Sequence, residues 1–449
     1  MITNYEQLVS RGNIEGRRIV LDIIEHALKQ VNFYNLTRNF VQFRERLRVG
    51  PLEYDLDEVD DLFVVGGGKQ VTFVAAALEE VLGDRISGGV VVEKRGWGRS
   101  TRRIKVVEGG HPIPDFGSTQ GAREILRIAE KAQEDDLVIA CVTGGCTSLT
   151  SLPPDGITLE DTRQVFDLLL GCGAPVEEMN TVRKHLSQLG GGKLSRLVHP
   201  AETVALIAID EVAGLPWGPT VPDTTTFSDA VDVLVGYGLW DEVPQLVRGY
   251  LKRADPTEET PRKIDFDRIG IKVNNLVFAE NRMLCRGAEE EATNLGLHAM
   301  TASTGIRGEA KDVAAMFADI AKEIEKNSGP IEAPCIIVAG GETTVTIKGE
   351  VGEGGRNQEL ALAACLKIAG SKNTVIASIG TDGNDGGTDA AGAIVDGYSL
   401  TDAVKAGVDP VGSLQKHDSA NVFRRLGDAI CTGNTMTNLM DLLIVHVQD

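Results

Sequence analysis

The chain has 449 residues, a length that favours two or three domains over a single core. Hydrophobic residues make up 42% and charged residues 24%, the composition of a folded protein rather than a disordered one. The net charge of −20 and the lack of a basic patch speak against a nucleic-acid binder. No apolar run approaches the ~20 residues of a membrane span. The seven scattered cysteines favour reduced thiols and a cytoplasmic protein.

The predicted elements begin with an amphipathic helix, in which the apolar residues from Val20 to Val31 follow the i, i+3, i+4 spacing. Short apolar runs then alternate with helical stretches, as expected for strands buried on both faces of a parallel sheet. Four of these runs end at a glycine loop, and they span residues 62–65, 137–142, 336–339 and 375–379. Ligands of open α/β sheets bind at the carboxyl ends of strands, so we expect a ligand at these loops.

A polar stretch bracketed by proline, residues 252–261, predicts a linker or an exposed loop. We therefore expect two α/β domains. The first, residues 1–250, is Rossmann-like with a mostly parallel sheet, and the second is residues 251–449. We also expect the glycine loops of both domains to face one active-site cleft between them.

The first glycine loop consists of Gly66, Gly67 and Gly68 followed by Lys69. Glycines allow backbone N–H groups to approach phosphate oxygens, and a lysine adds a positive charge. Neither the Walker A pattern nor the dinucleotide-binding fingerprint is matched. The residues alone support a phosphate loop and a simple turn with a surface lysine equally.

Two later loops also suit a phosphorylated ligand. Arg356 follows Gly354 and Gly355 at the start of a predicted helix, where an anion is favoured. Residues 380–389 then place three aspartates in a glycine loop, and such oxygen ligands suit Mg²⁺ with a bound phosphate. The alternatives are an exposed arginine and ordinary turn-forming residues.

A second basic stretch, residues 180–193, contains Arg183 and Lys193, which could bind a carboxylate. A solvated helix face is the commoner explanation of such a stretch. His111, in a Pro/Gly loop, is more often a hydrogen-bonded loop histidine than a base.

Eight motifs, taken in order, resemble those of one family. They are Gly-Gly-Gly-Lys (66–69), Gly-His-Pro-Ile-Pro-Asp (110–115), Gly-Ile-Thr-Leu-Glu-Asp (156–161), Asn-Thr-Val-Arg-Lys-His-Leu-Ser (180–187), Gly-Pro-Thr-Val-Pro-Asp (218–223), Gly-Gly-Arg-Asn-Gln-Glu (354–359), Gly-Thr-Asp-Gly-Asn-Asp-Gly (380–386) and Thr-Gly-Asn-Thr (432–435). The chain resembles the glycerate 2-kinases of the MOFRL type, many of which earlier carried a hydroxypyruvate reductase label. In this chain Cys146 and Thr147 stand where the family has glycine and serine.

The resemblance implies a kinase that uses ATP and Mg²⁺ to phosphorylate the 2-hydroxyl of D-glycerate. It also implies that Lys69 and Arg356 contact substrate or phosphate. We expect no nucleic-acid or membrane partner, and a homodimer is a possible assembly. The alternatives are a kinase for a related hydroxy acid, an NAD(P)H-dependent hydroxypyruvate reductase, which the missing fingerprint disfavours, and a non-catalytic binding module.

We assign the remaining site residues as expectations. Asp223 joins Lys69 and Arg356 as a catalytic residue and is a candidate base, as is Asp389. Asp382 and Asp385 are the expected metal ligands. The expected nucleotide contacts are Gly66, Gly67, Gly68, Gly144, Gly145, Ser148, Gly340, Gly341, Glu342, Thr343, Asn357, Thr381 and Gly383.

Overall fold

The structure, a computed structural model, describes residues 1–209, 217–347, 349 and 351–449. These residues form two units. The central unit comprises Phe33–Ile209 and 217–278, and the terminal unit comprises Met1–Asn32 and Ala279–Asp449. The predicted division at residue 250 is therefore misplaced, because the first helices belong with the C-terminal residues and the central unit continues to Phe278.

The strands, in chain order, are β1 (Val41–Phe43), β2 (Leu47–Val49), β3 (Leu52–Tyr54), β4 (Leu62–Gly67), β5 (Gly88–Lys94), β6 (Ile104–Gly109), β7 (Leu137–Val142), β8 (Glu202–Ala208), β9 (Val273–Ala279), β10 (His298–Ile306), β11 (Cys335–Gly341), β12 (Thr374–Gly380), β13 (Gly392–Asp396), β14 (Ala429–Ile430) and β15 (Asp441–Val447). The first three form a small antiparallel sheet. Strands β4 to β9 form the large sheet of the central unit, and β10 to β15 form that of the terminal unit.

The helices, in chain order, are α1 (Tyr5–Leu8), α2 (Ile14–Gln30), α3 (Phe33–Phe40), α4 (Val71–Leu82), α5 (Phe116–Ala129), α6 (Cys146–Leu149), α7 (Leu159–Gly171), α8 (Val176–His185), α9 (Lys193–Val198), α10 (Phe227–Gly236), α11 (Gln245–Arg253), α12 (Lys263–Ile269), α13 (Asn281–Asn294), α14 (Ala310–Asn327), α15 (Arg356–Lys367), α16 (Ser399–Lys405), α17 (Pro410–Gln415) and α18 (Ser419–Leu426). Within the described ranges, none of them combines the length and apolarity that crossing a bilayer requires.

The large sheet of the central unit has the strand order β6-β5-β4-β7-β8-β9. The pairs from β6 to β8 are all parallel. Strand β7 is buried along its whole length, which explains its continuous apolar run. Counted along the chain, this order is 3-2-1-4-5-6, the Rossmann order, so the predicted fold class is confirmed. The order reverses between β4 and β7, and ligands of such sheets bind at that point.

The large sheet of the terminal unit is mixed, with the order β10-β11-β15-β12-β13-β14. Strand β15 lies between β11 and β12 and is antiparallel to both. In this register Asp441, the first residue of β15, is opposite both Gly341 and Gly380. An acidic side chain is thus placed at the carboxyl ends of two strands that the sequence predicts to be followed by ligand-binding loops.

A buried ion-pair network joins α2 to the rest of the terminal unit. Arg17 is 0% exposed. Its Nε lies 2.6 Å from Asp396 Oδ2 and its Nη1 lies 2.6 Å from Asp428 Oδ1. Both aspartates are also fully buried. This network explains why residues 1–32 belong with the C-terminal residues. Without Arg17, Asp396 would be buried without a cation, and Asp428 would keep only the partly exposed Arg11, whose Nη2 lies 2.7 Å from Asp428 Oδ2.

We therefore expect Arg17→Met to destabilise the terminal unit strongly. Removal of one partner from a buried ion pair costs about 3–5 kcal/mol. Denaturant unfolding, followed by hydrogen exchange of the α2 amides, measures the loss. The control is Arg424→Met, because Arg424 is 62% exposed and pairs with Glu353 at 2.8 Å. It should cost no more than about 1 kcal/mol. Equal losses in the two variants would contradict the role given to Arg17.

Candidate active site

The glycine loop after β4 lies at the point where the strand order of the central sheet reverses. Gly66 and Gly68 have φ angles of +148° and +134°. A Cβ on Gly66 would lie 1.9 Å from Cys141 O, and one on Gly68 would lie 2.1 Å from Thr143 Oγ1. A Cβ on Gly67 would likewise lie 2.5 Å from Thr150 Cγ2. These glycines are thus required for contact with neighbouring protein atoms, whereas the sequence interpretation assigned them to a ligand.

The backbone of Lys69 is held by the second loop, which follows β7. Lys69 N donates to Gly144 O over 2.7 Å, and Thr143 Oγ1 donates to Lys69 O over 2.9 Å. Gly68 N donates to Val92 O over 3.0 Å. These two N–H groups are therefore used within the protein and do not bind phosphate, contrary to expectation. The half-buried side chain of Lys69 is the group that this loop presents.

A buried carboxyl group, Glu93, fixes the start of α4 directly after Lys69. It accepts hydrogen bonds from Gln70 N at 3.0 Å and Thr72 N at 3.2 Å. Gln70 has a left-handed backbone, with φ of +67°. Burial raises the pKa of Glu93 to about 7, although the N–H donors of Thr72, Lys94 and Gln70 act in the opposite direction.

The second loop provides backbone donors that the first loop lacks. In the described part of the chain, the N–H groups of Gly144 and Gly145 have no hydrogen-bond acceptor. A Cβ on Gly145 would lie 2.6 Å from His111 Cδ2, so the imidazole ring covers this glycine. Ser148 donates its hydroxyl hydrogen to Pro112 O over 2.8 Å. Ser148 thus positions the His111 segment, which argues against the expected nucleotide contact.

Asp223, the expected catalytic carboxylate, is buried in an ion pair. Lys184 Nζ lies 2.6 Å from its Oδ1, which also accepts from Thr224 N and Thr225 N. Burial raises the pKa of Asp223, but Lys184 and the Thr225 N–H outweigh that effect and lower the pKa overall. A carboxylate of reduced basicity with this many donors is a poor general base, so the structure argues against that role.

Arg356 opens α15 in the terminal unit and pairs with two carboxylates. Its Nε and Nη2 lie 2.7 Å and 2.9 Å from the two oxygens of Asp441. Its Nη1 lies 2.9 Å from Glu342 Oε1. Burial lowers the pKa of Arg356, but Asp441 and Glu342 outweigh it and raise the pKa well above its ordinary value. The side chain is 33% exposed, and these three bonds leave two of its five N–H donors for other acceptors.

Asp385 caps the same helix. Its two oxygens accept from Asn357 N at 3.0 Å and Gln358 N at 2.8 Å, and from both side-chain amides at 3.2 Å. Burial raises the pKa of Asp385 to about 6, although the two backbone donors lower it. Four donors leave no room for a cation, so the residue does not fit the expected metal site.

Asp382, the other expected metal ligand, accepts from Asn384 N at 3.0 Å. Among the described side chains, no group of three or more His, Cys, Asp or Glu could hold a metal ion.

Several expected nucleotide contacts instead hold the Arg356 region together. Asn357 donates to Asp441 Oδ1 over 2.9 Å and accepts from Ser378 Oγ over 2.6 Å. Thr381 Oγ1 donates to Met440 O over 2.7 Å and accepts from Leu439 N over 2.8 Å. Both side chains are buried. Their polar atoms are thus committed to the protein, which argues against direct contact with a nucleotide.

The glycines of the terminal unit likewise allow close packing rather than ligand approach. A Cβ on Gly340 would lie 1.8 Å from Asn281 Oδ1, one on Gly341 would lie 2.3 Å from Ile306 N, and one on Gly383 would lie 2.0 Å from Gly433 O. Thr343 differs from them, because its hydroxyl group is buried without a partner among the described residues. It lines a pocket together with Asp441. The expected contact at Thr343 therefore stays a prediction.

Asp441, Glu93 and His111 are site residues that sequence reasoning missed or undervalued. Asp441 directly precedes the apolar run of β15, but only the antiparallel register places it beside Arg356. Glu93 is the only acidic residue within the apolar strand β5, which was a usable signal. His111 is in one of the eight family motifs, yet nothing in the sequence indicates that its ring covers Gly145.

Comparison with known proteins matches two families, one described as a domain of unknown function (DUF4147), over residues 19–252, and the other as the MOFRL family, over residues 335–441. A glycerate 2-kinase from Pyrococcus horikoshii is 38% identical over 437 residues, which cover 96% of this chain and 97% of that protein. The chain belongs to the MOFRL-type glycerate 2-kinase family.

Other members of the family agree in length and fold. A crystal structure of a glycerate kinase from Thermotoga maritima superposes with a TM-score of 0.80 at 33% identity, covering 96% of this chain and 99% of that one. A protein from Agrobacterium vitis, provisionally named a hydroxypyruvate reductase, is 36% identical over 390 residues, which are 86% of each chain. The glycerate kinase family and the reductase label that the motifs suggested are thus both found among relatives.

The buried carboxyl group beside the Lys69 loop predicts a dependence of stability on pH. The pKa of Glu93 is about 7 in the folded state against an ordinary value of 4.5. Between these values the folded state holds a proton that the unfolded state has released, so stability falls as pH rises from about 4.5 to 7. We expect Glu93→Gln to remove this fall, which amounts to about 3 kcal/mol at most.

Urea unfolding of both proteins at pH values between 5 and 8 measures the effect. The control is Glu160→Gln, which replaces a carboxyl group that is 81% exposed. The free energy of unfolding of Glu93→Gln should rise relative to the parent as pH increases. A constant difference across this range would contradict the assignment.

Proposed function

We propose that this chain is a glycerate 2-kinase, which transfers the γ-phosphoryl group of ATP to the 2-hydroxyl of D-glycerate and yields 2-phospho-D-glycerate and ADP. The observation that carries the proposal is the pair of loops at the switch point of the central sheet, with the Lys69 side chain on one and the N–H groups of Gly144 and Gly145 on the other. Full-length similarity to glycerate kinases supports it.

Phosphoryl transfer requires positioning and neutralisation of charge more than covalent chemistry by the protein. In this proposal the Lys69 ammonium and the two glycine N–H groups bind oxygens of the transferring phosphoryl group. The hydrogen bond from Lys69 N to Gly144 O fixes the spacing of these donors. Donors that are held in place before the reaction stabilise developing charge without reorganisation.

In the terminal unit we assign Arg356 to an anionic oxygen of the ligands. Asp441 and Glu342 bind one side of its guanidinium and fix its orientation. The remaining donors and the unpartnered hydroxyl of Thr343 are then the groups that receive the ligand. Bidentate pairing with Asp441 makes this arrangement specific for arginine, since lysine cannot reproduce it.

We assign His111, in place of Asp223, as the general base that accepts the proton of the 2-hydroxyl group. The imidazole covers Gly145, one of the two glycines whose N–H groups we assign to phosphate. An imidazole is suited to proton transfer near neutral pH. Asp223, in contrast, is held by Lys184. Asp389, the other carboxylate considered as a base, is exposed.

We further propose that Mg²⁺ accompanies ATP, whose phosphate charge such an ion neutralises when bound. Since Asp385 does not fit as a metal ligand, Asp382 is the remaining predicted contact to Mg²⁺. The roles assigned above to Lys69, Arg356 and His111 do not depend on this contact.

A cytoplasmic location accords with seven cysteines that are free thiols in the described chain. Assembly as a homodimer stays a prediction.

Lys69→Ala and Arg356→Ala test the central assignments. Lys69→Ala loses the cation assigned to the transferring phosphoryl group, and Arg356→Ala loses the cation assigned to an anionic oxygen of the ligands. We therefore expect kcat/KM to fall by at least about 100-fold in each variant. Controls are Lys131→Ala and Arg424→Ala, which remove exposed cations from the central and terminal units. Phosphorus NMR of the product formed from ATP, Mg²⁺ and D-glycerate identifies the phosphorylated position.

The outcomes separate the alternatives. Circular dichroism of each variant shows whether a lost rate reflects lost folding. Near-parental turnover in both folded variants would contradict the assignment of these two cations. A reductase would oxidise NADH in the presence of hydroxypyruvate, and we expect no such oxidation. A binding module would be stabilised by ADP with Mg²⁺ but would release no ADP from ATP.

A further inference from the structure

Arg183 is a buried cation without an anionic partner in the described chain. It lies on α8 and is 7% exposed, so the solvated helix face expected from the sequence is wrong at this position. The centre of its guanidinium lies 4.6 Å from the Phe166 ring centroid, and Nη2 lies 3.8 Å from Met179 Sδ. Its Nε is buried and donates to no acceptor among the described residues.

Two other cations described above, one buried and one half-buried, have carboxylate partners. Arg17 has two aspartates, and Arg356 has Asp441 and Glu342. Lys193, 3% exposed, has no ion pair among the described residues, and burial and Arg196 lower its pKa to about 8. Its ammonium nevertheless donates to Ser187 O over 2.9 Å, whereas Arg183 Nε has no acceptor. Burial alone lowers the pKa of Arg183, to about 10, so the group stays charged at neutral pH. A charge buried in this way is costly unless an anion joins it.

We propose that Arg183 binds the carboxylate of the hydroxy-acid substrate. This inference rests on the proposed kinase function and adds the group that would recognise the acid. A guanidinium presents parallel N–H donors that match the two oxygens of a carboxylate. Phe166 covers one face of the guanidinium, so the carboxylate approaches its edge.

The position of α8 suits this role. Within the central unit, α8 packs against α6, the short helix that follows Gly144 and Gly145. Gln188, just beyond α8, donates from its backbone to Leu152 O over 2.8 Å and from its side chain to Pro153 O over 2.7 Å. The segment carrying Arg183 is therefore fixed to the segment that follows the loop assigned to phosphate. The carboxylate and the reacting hydroxyl of a 2-hydroxy acid are on adjacent carbons, so neighbouring elements must hold them.

The test is Arg183→Met, which keeps the length and the stacking surface of the side chain but removes the charge. A structural arginine and a ligand-binding arginine predict different results. If Arg183 serves binding, the variant unfolds at the same temperature as the parent or higher, because an uncompensated buried charge is gone. Binding of D-glycerate, measured by calorimetry, should weaken about 10- to 100-fold. The KM for D-glycerate should rise correspondingly and that for ATP should not.

Two further variants sharpen the result. Arg163→Met removes a cation from α7 that is 45% exposed and pairs with Glu160, and it should change neither binding nor stability. Arg183→Lys keeps the charge and should recover part of the lost affinity. Glycerol, which lacks the carboxylate, is the matched neutral ligand. The preference for D-glycerate over glycerol should shrink in Arg183→Met.

The outcomes distinguish this inference from the proposed function. Equal binding of D-glycerate by the parent and a folded Arg183→Met overturns the inference, as does a failure of the parent to bind D-glycerate at all. A lower unfolding temperature with unchanged KM also overturns it in favour of a structural role. If the parent binds D-glycerate through Arg183 but phosphorylates nothing, the inference stands and the kinase proposal fails.

Discussion

Within each unit, the placement of charged side chains follows the rule that a buried charge needs an opposite charge beside it. Arg17 holds α2 in the terminal unit, because it forms ion pairs with Asp396 and Asp428, which are buried there. Asp441 and Glu342 orient Arg356, and Lys184 neutralises Asp223. A charge that satisfies this rule is fixed and its reactivity is set by its partner. Arg183 has no carboxylate beside it within the described chain, and its Nε has no acceptor there, so it is an informative exception to this rule.

The fold could be read from the sequence because its signals are local. The apolar run of β7, bounded by Thr143 and Gly144, indicates a strand buried on both faces, and repeated strand-loop-helix units indicate an α/β sheet. Several of the glycines assigned to a ligand lie against neighbouring protein atoms instead, as Gly66 and Gly340 do. Contact with a ligand and contact with a neighbouring strand both require the absence of a Cβ, so Gly66 or Gly340 looks the same in either case.

The rest could not be predicted, because it depends on contacts between residues far apart in the chain. Arg356 and Asp441 are separated by 85 positions, and Arg17 and Asp428 by 411. Neither pair has a local pattern, and only the register of β15 brings Asp441 beside Arg356. The same limitation applies to Asp223 and Asp385, whose donors argue against the expected roles but are recognisable only when the folded neighbours are known. Sequence motifs thus locate the loops and helix starts, but they do not show what each residue contacts.

The central place of β15 has a consequence for synthesis of the protein. At ~5–20 residues per second, Asp428 follows Arg17 from the ribosome after about 20–80 s. During that time the buried ion-pair network of Arg17 is incomplete, and β11 and then β12 lack the neighbour that later joins them. Exposed strand edges of this kind invite pairing with other chains. The central unit can form its sheet in the meantime. The nascent chain then carries a folded central unit and an incompletely folded terminal unit, to which chaperones can bind.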